Sequence, residues 1–172
     1  MFEKLRVRSS KRQALKILAS RDLSNRNTPL ECLAFLVDEA LMDNFEKFIE
    51  FGLELGLQPN NIKVFSFVDV KKKPPSMSLN QISKKDFGWR GEINNNHSAT
   101  EFLEVPFDVL IGFYQGEHKF LDIMTARSKA RFKIGYNQAD LQLFDLLLSA
   151  DLKNFEGFKH ETTKYLKLLK KI

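Results

Sequence analysis

Apolar residues run without interruption from Leu33 to Val37, the mark of a strand buried on both faces. Asp43 followed by Glu46 reads as a capping box for a helix that carries Phe45, Phe48, Ile49 and Leu53 on one face and ends at Gly56. Ile62 to Val68, rich in β-branched and aromatic residues, predicts a second strand, and the three elements make a βαβ unit with a right-handed crossover. The alternation resumes at Phe107. Val109 to Phe113 reads as a strand and Gly116 as a turn. A helix then runs to about Ser128 with Phe120, Leu121, Ile123 and Met124 inward, followed by a strand from Arg131 to Tyr136. Leu143 to Ala150 is read as a final short strand because Asp151 to Asn154 breaks it before a helix gains length. Asn154 caps the last helix, whose inward face is Phe158, Thr162, Tyr165, Leu166 and Leu169. The predicted fold class is α/β: one Rossmann-like domain with a mostly parallel sheet flanked by helices.

Two segments stand outside this alternation. Residues 1–29 form an arm and linker ahead of a domain at 30–172; within the arm, Ser10 caps a short helix with Ala14, Leu15 and Leu18 on one face. Residues 71–96 form an irregular excursion, opened by Pro74-Pro75, with one short strand expected around Trp89 to Ile93.

Charge sharpens the division. Residues 1–26 hold eight basic and two acidic side chains, whereas the other 146 residues hold 19 basic and 20 acidic ones. Residues 27–70 are acidic, and residues 71–91 are basic again. Clustered cations raise the local potential and steer polyanions. The leading expectation is therefore a non-enzymatic module that binds RNA or a ribonucleoprotein. Lys11, Arg12 and Lys16 of the arm and Lys71, Lys72, Lys73, Lys84, Lys85 and Arg90 of the excursion would contact phosphate. Trp89, the only indole, would stack on a base, with Phe87 beside it. The arm has two other readings: a solvated tail, or a peripheral contact with an anionic membrane.

Ligands of open α/β sheets bind outside the carboxyl ends of the strands. Those ends carry Asp38, Asp69, Glu117 and His118, so the alternative expectation is an enzyme or a degenerate half-domain with a small ligand among these four. A third reading is a protein-interaction module whose acidic block, 27–70, pairs with a basic partner or with the arm itself. No nucleotide or metal cofactor is expected. The loop after Val37, Asp38-Glu39-Ala40-Leu41-Met42-Asp43, is acidic and lacks glycine, which repels a pyrophosphate, and no histidine has a ligand at metal-site spacing. Cys32 stands alone, so an intrachain disulfide is excluded and a cytoplasmic location is expected; no apolar stretch approaches a membrane span.

Four stretches carry a resemblance. They are Lys84-Lys85-Asp86-Phe87-Gly88-Trp89-Arg90-Gly91, Phe107-Asp108-Val109-Leu110-Ile111, Thr125-Ala126-Arg127-Ser128-Lys129-Ala130-Arg131-Phe132-Lys133-Ile134-Gly135, and Tyr165-Leu166-Lys167-Leu168-Leu169. Through them the chain resembles a small bacterial family of unknown function, which implies a single cytoplasmic domain and no particular activity. Residues 107–136 are also similar to the end of the N-terminal Rossmann-like domain of lipopolysaccharide heptosyltransferases, where a strand, an Arg- and Ala-rich helix and a Lys/Arg-Ile-Gly strand follow one another. That resemblance implies the fold. The Gly-Asp pair those enzymes carry after their first strand is missing after Val37, so it does not imply transferase activity.

Overall fold

The computed structural model describes residues 2–71 and 80–172; Lys72 and Lys73 lie outside the described residues. Its elements are α1 (Phe2–Ala19), β1 (Leu33–Asp38), α2 (Glu46–Glu54), β2 (Ile62–Val68), β3 (Gln81–Ser83), α3 (His97–Glu104), β4 (Val109–Phe113), α4 (Lys119–Arg127), β5 (Lys133–Tyr136), β6 (Leu146–Leu148) and α5 (Phe155–Leu168). Six strands form one sheet in the order β3-β2-β1-β4-β5-β6, and every pairing is parallel. This is the strand order of doubly wound α/β folds, with the reversal of direction between β1 and β4.

Strict alternation along the central strands builds two cores. Leu33, Phe35 and Val37 of β1, with Val109, Ile111 and Phe113 of β4, pack against Phe48 and Phe51 of α2 and Phe158 and Leu166 of α5. Ala34 and Leu36, with Leu110, face the other way onto Phe102 and Leu103 of α3, Leu121 and Met124 of α4, and Ala14 of α1. The strands therefore read as unbroken apolar runs because helices cover both faces. On the second face, Phe144 lies over Gly112 of β4 and Gly135 of β5. A Cβ added at Gly135 would sit 2.7 Å from its ring, closer than any methyl group tolerates.

Several local expectations are corrected. Ser10 falls inside α1, which already begins at Phe2, because the run to Ala19 has no glycine or proline and is rich in Lys, Arg, Leu and Ala. The capping box at Asp43 and Glu46 does not form; the N-cap of α2 is Phe45, with no side-chain cap bond. The excursion's strand is Gln81–Ser83, paired with β2, whereas Phe87 and Ile93 meet only in an isolated antiparallel bridge. Residues 97–104, given no element from sequence, form α3 under an Asn96 cap. Leu169, placed on the inner face of α5, is 41% exposed. The short strand within 143–150 and the Asn154 cap stand as expected.

Candidate functional site

The reversal point between β1 and β4 opens at the carboxyl end of the sheet, the location where this strand order leaves a crevice. Gly116, at φ +60°, turns the chain leaving β4 so that His118 becomes the N-cap of α4. Its Nδ1 accepts the Leu121 amide at 3.1 Å, and its own amide donates to Asp122 Oδ2 at 3.1 Å. An Nδ1 that accepts leaves the imidazole proton on Nε2, which lies 3.8 Å from Asp38 Oδ2. The ring is packed between Phe67 and Tyr114, and burial lowers its pKa against the pull of Asp38. With Nδ1 committed to the helix cap and Nε2 protonated, His118 has no lone pair left for a substrate proton. It is a neutral donor and a cap.

Beside this pair lies a cavity of about 210 Å³ between α1 and α4. Ala14, Leu15, Ile123 and Leu143 form its apolar walls, and Glu117, Asp122, Asp140, Lys11 and Lys119 supply the charges. Lys11 reaches over from α1 to within 3.2 Å of Asp140 and 3.9 Å of Glu117. Asp122 is deeper. Burial pushes its carboxyl up to about 7; the Tyr114 hydroxyl and the His118 amide oppose the shift, and the charges of Asp140 and Glu117 add to it. Among the described residues, Asp122 Oδ1 has no hydrogen-bond partner, and it is sealed from solvent.

Of the four carboxyl-end residues read from sequence, the structure brings Asp38 and His118 together and sets Glu117 on the rim of the cavity. Asp69 is exposed and accepts the Lys71 amide at 3.1 Å in a turn of its own. Asp122 and Asp140 were missed. The signal for Asp122 was a carboxylate inside the apolar run from Phe120 to Met124, four residues after His118. Among the described residues, no group of three or more His, Cys, Asp or Glu has the geometry of a metal site.

The expected polyanion contacts divide. Arg12, Lys16, Lys71, Lys84, Lys85 and Arg90 are exposed, and Trp89 is 52% exposed. Phe87 is buried against Phe120. Lys11 is held in the ion pairs above, and Arg21 binds Asp145 through both Nη atoms, at 3.0 and 2.8 Å. The arm's described ion pairs run to Glu117, Asp140 and Asp145. Among the described residues, no helix is long and apolar enough to cross a membrane.

No curated protein and no solved structure matches this chain. Over residues 6–169 the sequence matches the model of a family of unknown function, DUF6913, and the chain belongs to that family.

Proposed function

We propose that this chain binds a small ammonium-bearing ligand in the cavity between α1 and α4, with α1 as the cover. The observation that carries the reading is Asp122, which lines a largely apolar cavity and forms no salt bridge among the described residues, whereas Glu117 and Asp140 pair with Lys11. A ligand ammonium supplies the counter-charge that Asp122 lacks, and the apolar walls accommodate a short hydrocarbon body. The committed nitrogens of His118 favour binding over proton abstraction.

The test is thermal denaturation of the full chain with a panel of small primary amines and matched carboxylates, at pH 6 and pH 8. A cation is held best by ionised Asp122, whose carboxyl titrates at about 7, so an amine should raise Tm more at pH 8 than at pH 6. Asp122→Asn should abolish the increment. Stabilisation by carboxylates alone, or an amine effect that survives Asp122→Asn, would sink the proposal.

A second reading, RNA binding through the excursion, is favoured by Lys84, Lys85 and Arg90 standing exposed around Trp89.

A further inference from the structure

α1 presents three faces. Ala14 and Leu18 pack into the core, and Lys11 and Leu15 face the cavity described above. The remaining face carries Arg8, Arg12 and Lys16 at i, i+4 spacing, all exposed. Like charges at this spacing repel one another along a helix, and none of the three forms a salt bridge among the described residues. Such a stripe weakens the helix unless an anion lies along it.

A groove of about 560 Å³ runs along Arg12 and Lys16, and a second, of about 440 Å³, runs between the end of α1 and the loop from α4 to β5. Both are lined by Ile17 and Ser20, so the stripe borders the second groove and the two together make a basic track. The second contributes Arg127, Lys129 and Arg131, the alternating basic residues of a motif that the small-ligand reading does not use. Arg127 has no salt bridge among the described residues. Lys129 pairs with Glu104 where both side chains are mostly exposed, a pair that a phosphate displaces at little cost. Arg131 pairs with Asp108 at 2.7 Å but keeps 36% of its side chain exposed. Among the described residues, Asp22 is the only acid lining either groove.

Apart from Arg21, which Asp145 holds, the rest of the described lining is Ser, Gln, Asn, Pro, Ala and Ile, without an aromatic ring. A track of this kind has nothing on which to stack an unpaired base. It reads phosphates through its cations and sugar hydroxyls through its neutral groups, which is how double-helical RNA is recognised. We infer that the α1–α4 track binds the phosphodiester backbone of double-helical RNA, with Arg12, Lys16 and Arg127 as its principal contacts. The inference rests on the polyanion reading of the arm and not on the cavity; it replaces Lys11 by Arg127 and the excursion by the groove.

The test is fluorescence anisotropy of a short labelled RNA duplex of mixed sequence with the full chain across a salt series. The expected result is binding that weakens steeply with salt. The pair Arg12→Glu and Lys16→Glu should lose about tenfold or more in affinity and flatten the logarithmic salt slope by about 2, near 0.9 per phosphate contact. Arg127→Glu should lose affinity on its own, while Lys84→Glu with Lys85→Glu and Trp89→Ala change nothing. All these positions are at least partly exposed, and circular dichroism confirms that each variant is folded. No binding at low salt defeats the polyanion reading altogether. Binding that the excursion variants abolish and the groove variants spare defeats this inference alone. Equal affinity for a DNA duplex of the same sequence, or preference for single-stranded RNA or for anionic vesicles, also overturns it.

Discussion

An ammonium group sealed in the sheet makes Lys133 the most consequential single side chain outside the cavity. It is fully buried in β5, and its Nζ donates to the Thr125 carbonyl at 2.6 Å and the Ala126 carbonyl at 3.5 Å, serving the carbonyl end of α4 from below. Burial lowers its pKa from an ordinary 10.5 to about 7, with Arg21 adding to the shift and Asp145 opposing it. Between those two values the unfolded chain binds the proton that the folded chain has released, so stability contributed by this group rises with pH from about 7 towards 10. Urea unfolding at pH 7, 8 and 9 should show the native protein gaining on a Lys133→Met variant by up to about 1.4 kcal/mol per pH unit. A gap between the two that stays constant with pH would show that Lys133 remains charged inside the fold. The basic residue here was visible in the Lys-Ile-Gly strand, but its burial was not. A strand of alternating faces gives no warning that one of its polar positions lies beneath a helix end.

The elements differ in how plainly the sequence announces them, and the reason lies in what each one packs against. Leu33 to Val37, Ile62 to Val68 and Val109 to Phe113 are legible because central parallel strands are covered on both sides and need apolar residues at nearly every position. β3 is an edge strand of three residues with a single apolar side chain, Ile82, and carries too little pattern to be read. α3 did carry a pattern, Ala99, Phe102 and Leu103 behind an Asn96 cap, but a polar, glycine- and asparagine-rich neighbourhood masked it. The early start of α2 expected from Asp43 failed because capping is worth about 1 kcal/mol, less than seating Phe48 against Phe35 and Phe113. Contact between β4 and β5 rests on a pair of glycines no pattern could explain. Phe144 fills the space their missing side chains leave, so Gly135→Ala should cost about 1–3 kcal/mol in denaturant unfolding. A neutral result would mean that Phe144 swings aside, which the filled core around Leu143 and Tyr114 opposes.

At the scale of the molecule, two buried carboxylates hold the front of the chain to its body. Asp108 accepts the amides of Glu31 and Cys32 and the Arg131 guanidinium, fixing the start of β1 beside that of β4. Asp145 accepts Arg21 through both oxygens and the Lys133 amide, with Arg26 at 3.4 Å. Arg21 also donates to the carbonyls of Ala130 and Arg131, so α1 ends on a fixed post. Asp145→Ala leaves that guanidinium buried without its counter-charge. The expected loss is about 3–5 kcal/mol, read by urea unfolding, together with faster proteolysis between residues 20 and 29. Unchanged cleavage would show that packing on α4 alone seats the arm. Here the linear charge map misled. The basic arm and the balanced C-terminal half look unrelated in sequence, yet the described ion pairs of the first join it to the second, across separations that no local pattern records.

Those separations also fix an order of events. The residues that hold the arm and linker come from the far end of the chain: Asp140 and Asp145, and then Lys171, whose Nζ donates to the Arg26 and Thr28 carbonyls and whose carbonyl accepts the Leu30 amide. During synthesis the arm and linker therefore cannot be fully seated until residues 140–171 have been made. Until then α1 lacks its partners at Asp140 and Asp145, and the seating of the linker on Lys171 closes the largest of these loops.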